Sequence, residues 1–272
     1  NSQGYFTSGS HANWGGFYNR QAVNAHLGFQ EYLFSDFFET AGIQDPKTDR
    51  VFIPSAVDRF LSGIEQGKHM FSFNITMQGH SPYVSDRYLY DRRLYTADVE
   101  DELLCTINNY LGSVYDTQQV LLAEVEKLRS SPEPIVLVLY GDHCPSFTGL
   151  QSAFYTPDIS TLEGFVDFYS TPYLIWANDA AKKLSGGGFS GEGPTISPGY
   201  LMNVIFRELG WKGSPFLQLT SEIMEQLPVV HAQGYFVENG NFTLSPSEDA
   251  RQQLSNYRYA QYYMINNTGD PK

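Results

Sequence analysis

Cysteine is nearly missing from this sequence: 272 residues contain only Cys105 and Cys144. Two cysteines cannot build a disulfide framework, and the lack of any CxxC excludes a zinc finger. Long apolar runs are also lacking, so no segment reads as a membrane span, and there is no signal-like start. Basic residues are scarce as well. Lys and Arg number 17 against 30 Asp and Glu, for a formal net charge of -13. This balance argues against a nucleic-acid partner, which needs clustered cations. It also argues against strong attraction to anionic lipid surfaces. A phosphate-bearing substrate stays open, because one local cation or metal ion reverses the field within a small site. The Gly-rich stretch from Gly186 to Gly193 has no following GK[ST] and does not match GxGxxG, so nucleotide binding is rejected there and a surface loop is expected.

What is present suits a folded chain: 42% hydrophobic and 15% aromatic residues, with 19 Tyr and 19 Phe. The order of elements predicts an α/β fold, with an open, mostly parallel sheet and helices on both faces. Residues 1 to 20 read as loop, followed by a short amphipathic stretch from Arg20 to Leu27. Apolar spacing at Val57, Phe60, Leu61 and Ile64 predicts a helix over Pro54 to Gln66, with Ser55 as a possible N-cap. Met70 to Met77 alternates and reads as a strand. Asp98 to Arg129 is the longest helical pattern, with a possible break at Gly112. Ile135 to Tyr140 is a continuous β-branched apolar run, the pattern of a parallel strand buried on both faces. Thr171 to Ala177 reads as another strand. Helical stretches follow at Gly199 to Leu209, Glu222 to Leu227 and Glu248 to Ile265.

In open α/β sheets, ligands bind at the carboxyl ends of strands. Two polar clusters stand there. Gly141-Asp142-His143 follows the apolar run, and Gln78-Gly79-His80 follows the alternating strand. Adjacent Asp and His offer a hard oxygen and an imidazole nitrogen, a pair suited to Zn or Mn. Cys144 lies next to this pair, but a small near-buried residue is the simpler reading of it. A third cluster, His11 to Arg20 (HANWGGFYNR), joins aromatic residues to a guanidinium that can grip phosphate bidentately.

The three clusters, in this order and at these spacings, resemble the extracellular catalytic domain of the lipoteichoic acid synthase family. That family transfers glycerol phosphate and belongs to the alkaline phosphatase and sulfatase superfamily. The resemblance rests on His11 with Phe17-Tyr18-Asn19-Arg20, on His80-Ser81-Pro82-Tyr83, on Gly141-Asp142-His143, and on TPYLIWAN followed by ISPGYLMNVIFRELGW. It covers most of residues 9 to 215. It implies that Asp142 and His143 are two ligands of a divalent cation, Mn2+ as the usual ion. It implies that His80 contacts the phosphate or protonates the leaving group, that Arg20 clamps the phosphate, and that His11 and Tyr18 line the substrate pocket. Tyr18 stands where Trp is common, and Asn13 stands near a position where an acid is often found.

The resemblance also implies a Thr nucleophile and a Glu metal ligand well upstream of the His11 segment. The expectation is therefore a single sulfatase-like catalytic domain over 1-272 whose N-terminal part is missing, with a family-like core over 1-215 and a helical extension over 216-272. Such a piece is expected to be inactive and largely metal-free. The whole protein would be a phosphoglycerol transferase at the extracellular face of a bacterial membrane, reached through an upstream segment. It would take phosphatidylglycerol as donor and a glycolipid or polymer as acceptor. A sulfatase or phosphodiesterase of the same superfamily, and a non-catalytic module that binds glycerophosphate or glycan, are the alternatives.

Overall fold

A computed structural model describes residues 3–147, 157–186 and 188–267. The chain divides into two compact units. One comprises Asn1–Ile135 with Pro145–Thr156, and the other Val136–Cys144 with Pro157–Lys272.

The first unit is built on a three-stranded parallel sheet. Its strands are β1 (Tyr5–His11), β2 (Glu31–Leu33) and β3 (His69–Ile75), in the order β2-β1-β3. The central strand β1 lies in the segment expected to be loop. Its YFTSGSH sequence is rich in small polar residues, which weak strand propensity disfavours. Tertiary fit overrides that preference. A Cβ on Gly9 would lie 2.4 Å from the Tyr32 ring and 2.5 Å from the Phe73 carbonyl, so only glycine lets that ring settle on the strand. Ser10 Oγ donates to Asn74 Oδ1 at 2.7 Å across the β1–β3 pair. Phe71 and Phe73 both meet the Phe29 ring, as the alternation in β3 requires.

Helices α1 (Arg20–His26), α2 (Ser35–Thr40), α3 (Asp49–Glu65) and α4 (Asp101–Arg129) complete the described part of this unit. Their core gathers Ala12, Phe38, Phe52, Ile53 and Val120. Helix α3 starts earlier than the sequence suggests: Thr48 is the N-cap and Pro54 lies inside the helix. Proline there removes one bond, to the carbonyl of Arg50. Arg50 is exposed, so water can take over. Helix α4 is continuous through Gly112. That glycine makes room for a ring: a Cβ would lie 2.5 Å from the Tyr90 side chain.

Residues 76–100 contain no helix or strand, yet they cross the buried side of α4. Two adjacent asparagines hold them. Asn109 accepts from Leu89 N at 2.7 Å and donates to the carbonyls of Val84 at 2.8 Å and Arg87 at 2.9 Å. Asn108 accepts from the N–H groups of Leu94 at 2.8 Å and Tyr95 at 3.0 Å, and donates back to the Tyr95 carbonyl at 2.9 Å. A side-chain amide replaces the ladder that an irregular segment lacks.

In the second unit, β4 (Val136–Tyr140) pairs antiparallel with β5 (Tyr173–Ala177). This departs from the parallel, doubly buried strand expected of the apolar run, and most of β4 is only half-buried. A continuous apolar run reports burial tendency and carries no information on pairing direction. Helices α5 (Leu162–Tyr169), α6 (Asp179–Ser185), α7 (Leu201–Glu208), α8 (Pro215–Gln226) and α9 (Glu248–Asn267) follow. A small antiparallel sheet of β6 (Val229–Val230), β7 (Phe236–Glu238) and β8 (Asn241–Thr243) lies between the last two. The segment after 215 is no separate appendage. Ile223, Met224, Leu227, Ala250 and Leu254 share one core with Tyr200 and Val204.

Replacing Asn109 with Ala strands one backbone donor and two acceptors on the buried side of α4. Urea unfolding of Asn109→Ala should show a loss of about 2 kcal/mol or more, whereas an exposed control such as Glu126→Ala should lose less than about 0.5 kcal/mol.

Candidate functional site

Parallel strands β1 and β3 run in register to their ends, where His11 faces Ile75. His11 Nδ1 lies 2.9 Å from the Ile75 carbonyl, which can only accept, so Nδ1 carries the proton. Nε2 is then a bare acceptor. It is buried with no hydrogen-bond partner among the described residues, in a residue only 1% exposed. Burial lowers the His11 pKa, the Ile75 bond opposes that, and the positive charges of Arg20, His80 and Lys47 lower it further. Neutral imidazole is thus the favoured form of His11. None of the 30 acidic residues precedes Glu31, so this end of the chain lacks carboxylates of its own.

Arg20 opens α1 directly after a 3-10 turn, Phe17–Asn19. Tyr18 and Asn19 both take left-handed backbone, at φ 55° and 52°. The turn lays two rings by the guanidinium, whose carbon is 5.9 Å from the Phe17 centroid and 5.4 Å from that of Tyr18. Stacking of this kind restrains Arg20 while leaving its N–H edge able to donate. Tyr18 itself is 76% exposed. Asn13 uses its side-chain oxygen locally, accepting from Trp14 N at 2.9 Å.

His80 lies in a tight turn beyond β3, where its N–H donates to the Met77 carbonyl at 3.0 Å and Tyr83 Oη donates to the Gly79 carbonyl at 2.9 Å. Its Nδ1 is 2.5 Å from the Ser81 carbonyl. Tyr83 packs against Tyr110 and Phe147, and burial pushes its pKa up to about 12. A small pocket lined by Gln78, His80, Tyr83, Tyr90 and Ser113 opens beside the turn. His11, Arg20 and His80 thus lie in one unit, and Arg20 and His80 both act electrostatically on His11. Lys47 acts on it too, and a lone lysine 36 positions after His11 carries no local signal in the sequence.

The second unit holds Asp142 and His143 just past β4. The turn is fixed by Gly141 N donating to the Pro172 carbonyl and Thr171 Oγ1 donating to the Gly141 carbonyl. Asp142 Oδ1 accepts from His143 N at 3.0 Å, and His143 Nδ1 donates to the Cys144 carbonyl at 2.8 Å. This leaves His143 Nε2 and Asp142 Oδ2 3.7 Å apart on two exposed side chains. Two ligands each about 2.1 Å from one divalent ion stand at a similar separation, and the Nδ1 bond selects the tautomer that a ligand needs. The pair thus fits as part of a donor set. Among the described residues no group of three or more His, Cys, Asp or Glu could hold a metal. The Cys144 thiol donates to the Ser170 carbonyl, and burial raises its pKa.

Known proteins resemble this chain in sequence and fold. A family model described as Sulfatase matches residues 1–203. A Rhizobium meliloti protein named for cyclic beta-1,2-glucan modification is 23% identical over 277 residues, covering 97% of this chain and 41% of its own length. The chain therefore spans about two-fifths of that curated relative. Among solved structures, the Streptococcus pyogenes phosphoglycerol transferase GacH in complex with sn-glycerol-1-phosphate is similar, with a TM-score of 0.68 at 20% identity over 97% of this chain and 64% of that one. The lipoteichoic acid synthase LtaP from Listeria monocytogenes gives 0.59 at 17% identity, over 98% and 71%. A Vibrio parahaemolyticus protein of the alkaline phosphatase superfamily gives 0.62 at 15% identity, over 100% and 68%. At these identities the structural likenesses establish the fold.

The neutral state of His11 sets a sign for pH dependence. Its folded pKa lies below the unfolded value of 6.5, so acidification through that value protonates the unfolded chain first. This contribution to stability is complete above pH 6.5 and is lost below it. Between pH 7.5 and 5.5 the wild type should lose more unfolding free energy than His11→Gln in parallel urea titrations. Equal losses would show that His11 is not held neutral.

Proposed function

Since the chain belongs to the sulfatase family, we propose that it forms part of a phosphoglycerol transferase, and that His11, Arg20 and His80 receive the glycerophosphate. The observation that carries this reading is the buried, unpartnered Nε2 of His11 beside Arg20, His80 and Lys47. A bare buried acceptor costs free energy until a donor reaches it. The surrounding cations call for an anion. Glycerol phosphate supplies both, a hydroxyl to donate and phosphoryl oxygens to accept. The complex of GacH with sn-glycerol-1-phosphate supports the same ligand for a protein of this fold.

Within this reading Arg20 spreads two parallel N–H groups across the phosphoryl oxygens, and its contact with the Phe17 and Tyr18 rings limits the entropy lost on binding. His11 accepts from a glycerol hydroxyl and so orients the glycerol moiety. His80 presents Nε2 to the departing or entering oxygen, where it holds or moves the proton. Asp142 and His143 supply two ligands to a divalent cation, Mn2+ by the family resemblance. When bound, that ion lowers the pKa of a coordinated hydroxyl and offsets charge on the phosphoryl oxygens. Phosphatidylglycerol is the proposed donor. The acceptor is a glycolipid or polymer, and the cyclic beta-1,2-glucan named in the Rhizobium relative favours a glucan among these.

Titration calorimetry of this chain with sn-glycerol 1-phosphate tests the anion site directly. Arg20→Ala should weaken binding about 10- to 100-fold, and Arg20→Lys should recover only part of it because the fork is lost. Equal affinity in all three proteins would sink the assignment. In the longer protein, assayed for glycerophosphate release from phosphatidylglycerol with Mn2+, His143→Ala should abolish turnover. Normal turnover there would remove the metal assignment while leaving the phosphate site standing, and release from an aryl sulfate instead would favour the hydrolase.

A further inference from the structure

Gln78 stands at the point where β3 passes into the His80 turn, and its side chain is fully committed. Oε1 accepts the N–H of Asp49 at 2.9 Å, in the first turn of α3. Nε2 donates to the Ser113 carbonyl and to Asp116 Oδ2, both at 3.1 Å on α4, with Thr117 Oγ1 at 3.4 Å. One amide therefore ties the loop to two helices at once. The far side of this socket is also built: Asp116 pairs with Arg50, and Asp49 is 1% exposed with Oδ2 2.5 Å from Thr117 Oγ1.

Thr117 has one hydroxyl proton but two acceptors, Asp49 Oδ2 and the Ser113 carbonyl at 3.0 Å. Burial raises the Asp49 pKa; the Thr117 bond opposes it and the charge of Asp116 adds to it. The shorter contact marks Asp49 Oδ2 as the acceptor of that proton. Asp116 pairs with Arg50 on one side and accepts from Gln78 on the other. Gln78 thus inserts its donor where one charged acceptor waits and its acceptor where one backbone donor waits. Neither an acid nor an aliphatic residue of that length matches both.

We propose that Gln78 is a positioning residue for His80. Its amide, locked between α3 and α4, fixes the Met77–His80 turn and hence the place of the imidazole at the carboxyl end of β3. The consequence for binding rests on the glycerophosphate reading above; the positional claim does not.

NMR relaxation of the chain labelled with carbon-13 at histidine Cε1 tests the claim, since His80 and buried His11 report side by side. In the wild type both rings should be rigid. In Gln78→Ala the His80 order parameter should fall from about 0.85 to about 0.6 or below, with His11 unchanged. Titrated with sn-glycerol 1-phosphate, Gln78→Ala should weaken binding about 10-fold when His80 is present and have no effect in a His80→Ala background, the coupling expected of residues acting as a unit. Should Gln78→Ala fail to fold, Gln78→Glu takes its place: it sets a carboxylate against Asp116 and should mobilise His80, and adding Asp116→Asn supplies an amide donor and should restore the rigid ring. Unchanged His80 mobility, or an equal loss of affinity with and without the His80 ring, overturns the proposal. If the wild type binds no sn-glycerol 1-phosphate, the functional reading fails, and the relaxation data alone decide the role of Gln78.

Discussion

The hydrogen bond from His11 Nδ1 to the Ile75 carbonyl does two things at once. It ties the ends of two neighbouring parallel strands, and it fixes which ring nitrogen is bare. The parallel register carries His11 to the same level as Ile75, so the β3 exit, with Gln78 and His80, begins where β1 ends. A shift of one residue would turn the imidazole to the opposite face of the sheet. The bond also leaves Nε2 buried without a donor. Buried polar atoms in folded proteins are almost always paired. An orphan at the carboxyl end of a parallel sheet is therefore best understood as an acceptor kept for a ligand, with its cost offset by the packing of β1 under Tyr32 and against β3.

The electrostatics around that acceptor run against the chain as a whole. The protein carries 30 acidic and 17 basic residues, yet the charged groups that act on His11 are Arg20, His80 and Lys47. The neighbouring irregular segment is anchored without adding charge. Asn108, Asn109 and Gln78 hold its backbone and its start through neutral amides. An amide offers a donor and an acceptor together, so one side chain satisfies both kinds of orphaned backbone group. Lysine or glutamate in those places would satisfy one kind and bury a charge. Neutral anchoring thus adds no negative charge of its own beside the residues proposed to receive a phosphoryl group.

The parts legible in the sequence were those with a periodic or ordered signal. The alternation in β3, the apolar run of β4 and the long α4 pattern all became elements at nearly the expected places. The site motifs were legible through their order along the chain, because no one of them is specific by itself. The misses have physical causes. Strand β1 reads as loop because Ser8, Gly9 and Ser10 suit close packing against rings and neighbouring strands, a property set by residues far away in sequence. The start of α3 reads as Pro54 because the apolar spacing begins at Val57 and Ser55 offers a cap, whereas the helix begins at Asp49 and Pro54 occupies an inner turn. The β7–β8 hairpin had a signal that went unused: Asn239-Gly240, both with positive φ as a tight two-residue turn demands. Gln78 had none. Its role depends on Asp49, Ser113 and Asp116, which lie 29 to 38 positions away.

The two halves of the chemistry differ in how completely the chain's own residues specify them. The phosphate end is preorganised: His11 is fixed by a strand carbonyl, Arg20 lies against two rings, and His80 follows an anchored glutamine. Preorganised donors lose little freedom when an anion arrives, so this end can select its ligand before any metal acts. The Asp142–His143 turn is preorganised in a narrower sense. Its backbone bonds choose the tautomer and hold the two donor atoms 3.7 Å apart, but both side chains stand in solvent. A divalent ion on two such ligands must keep several waters and would exchange readily. Tight metal binding therefore depends on further oxygen or nitrogen donors that converge on the same ion, while phosphate recognition does not. In the proposed reading the phosphate end therefore rests on this chain's own residues more than the metal pair does, and binding of sn-glycerol 1-phosphate is the more direct test of it.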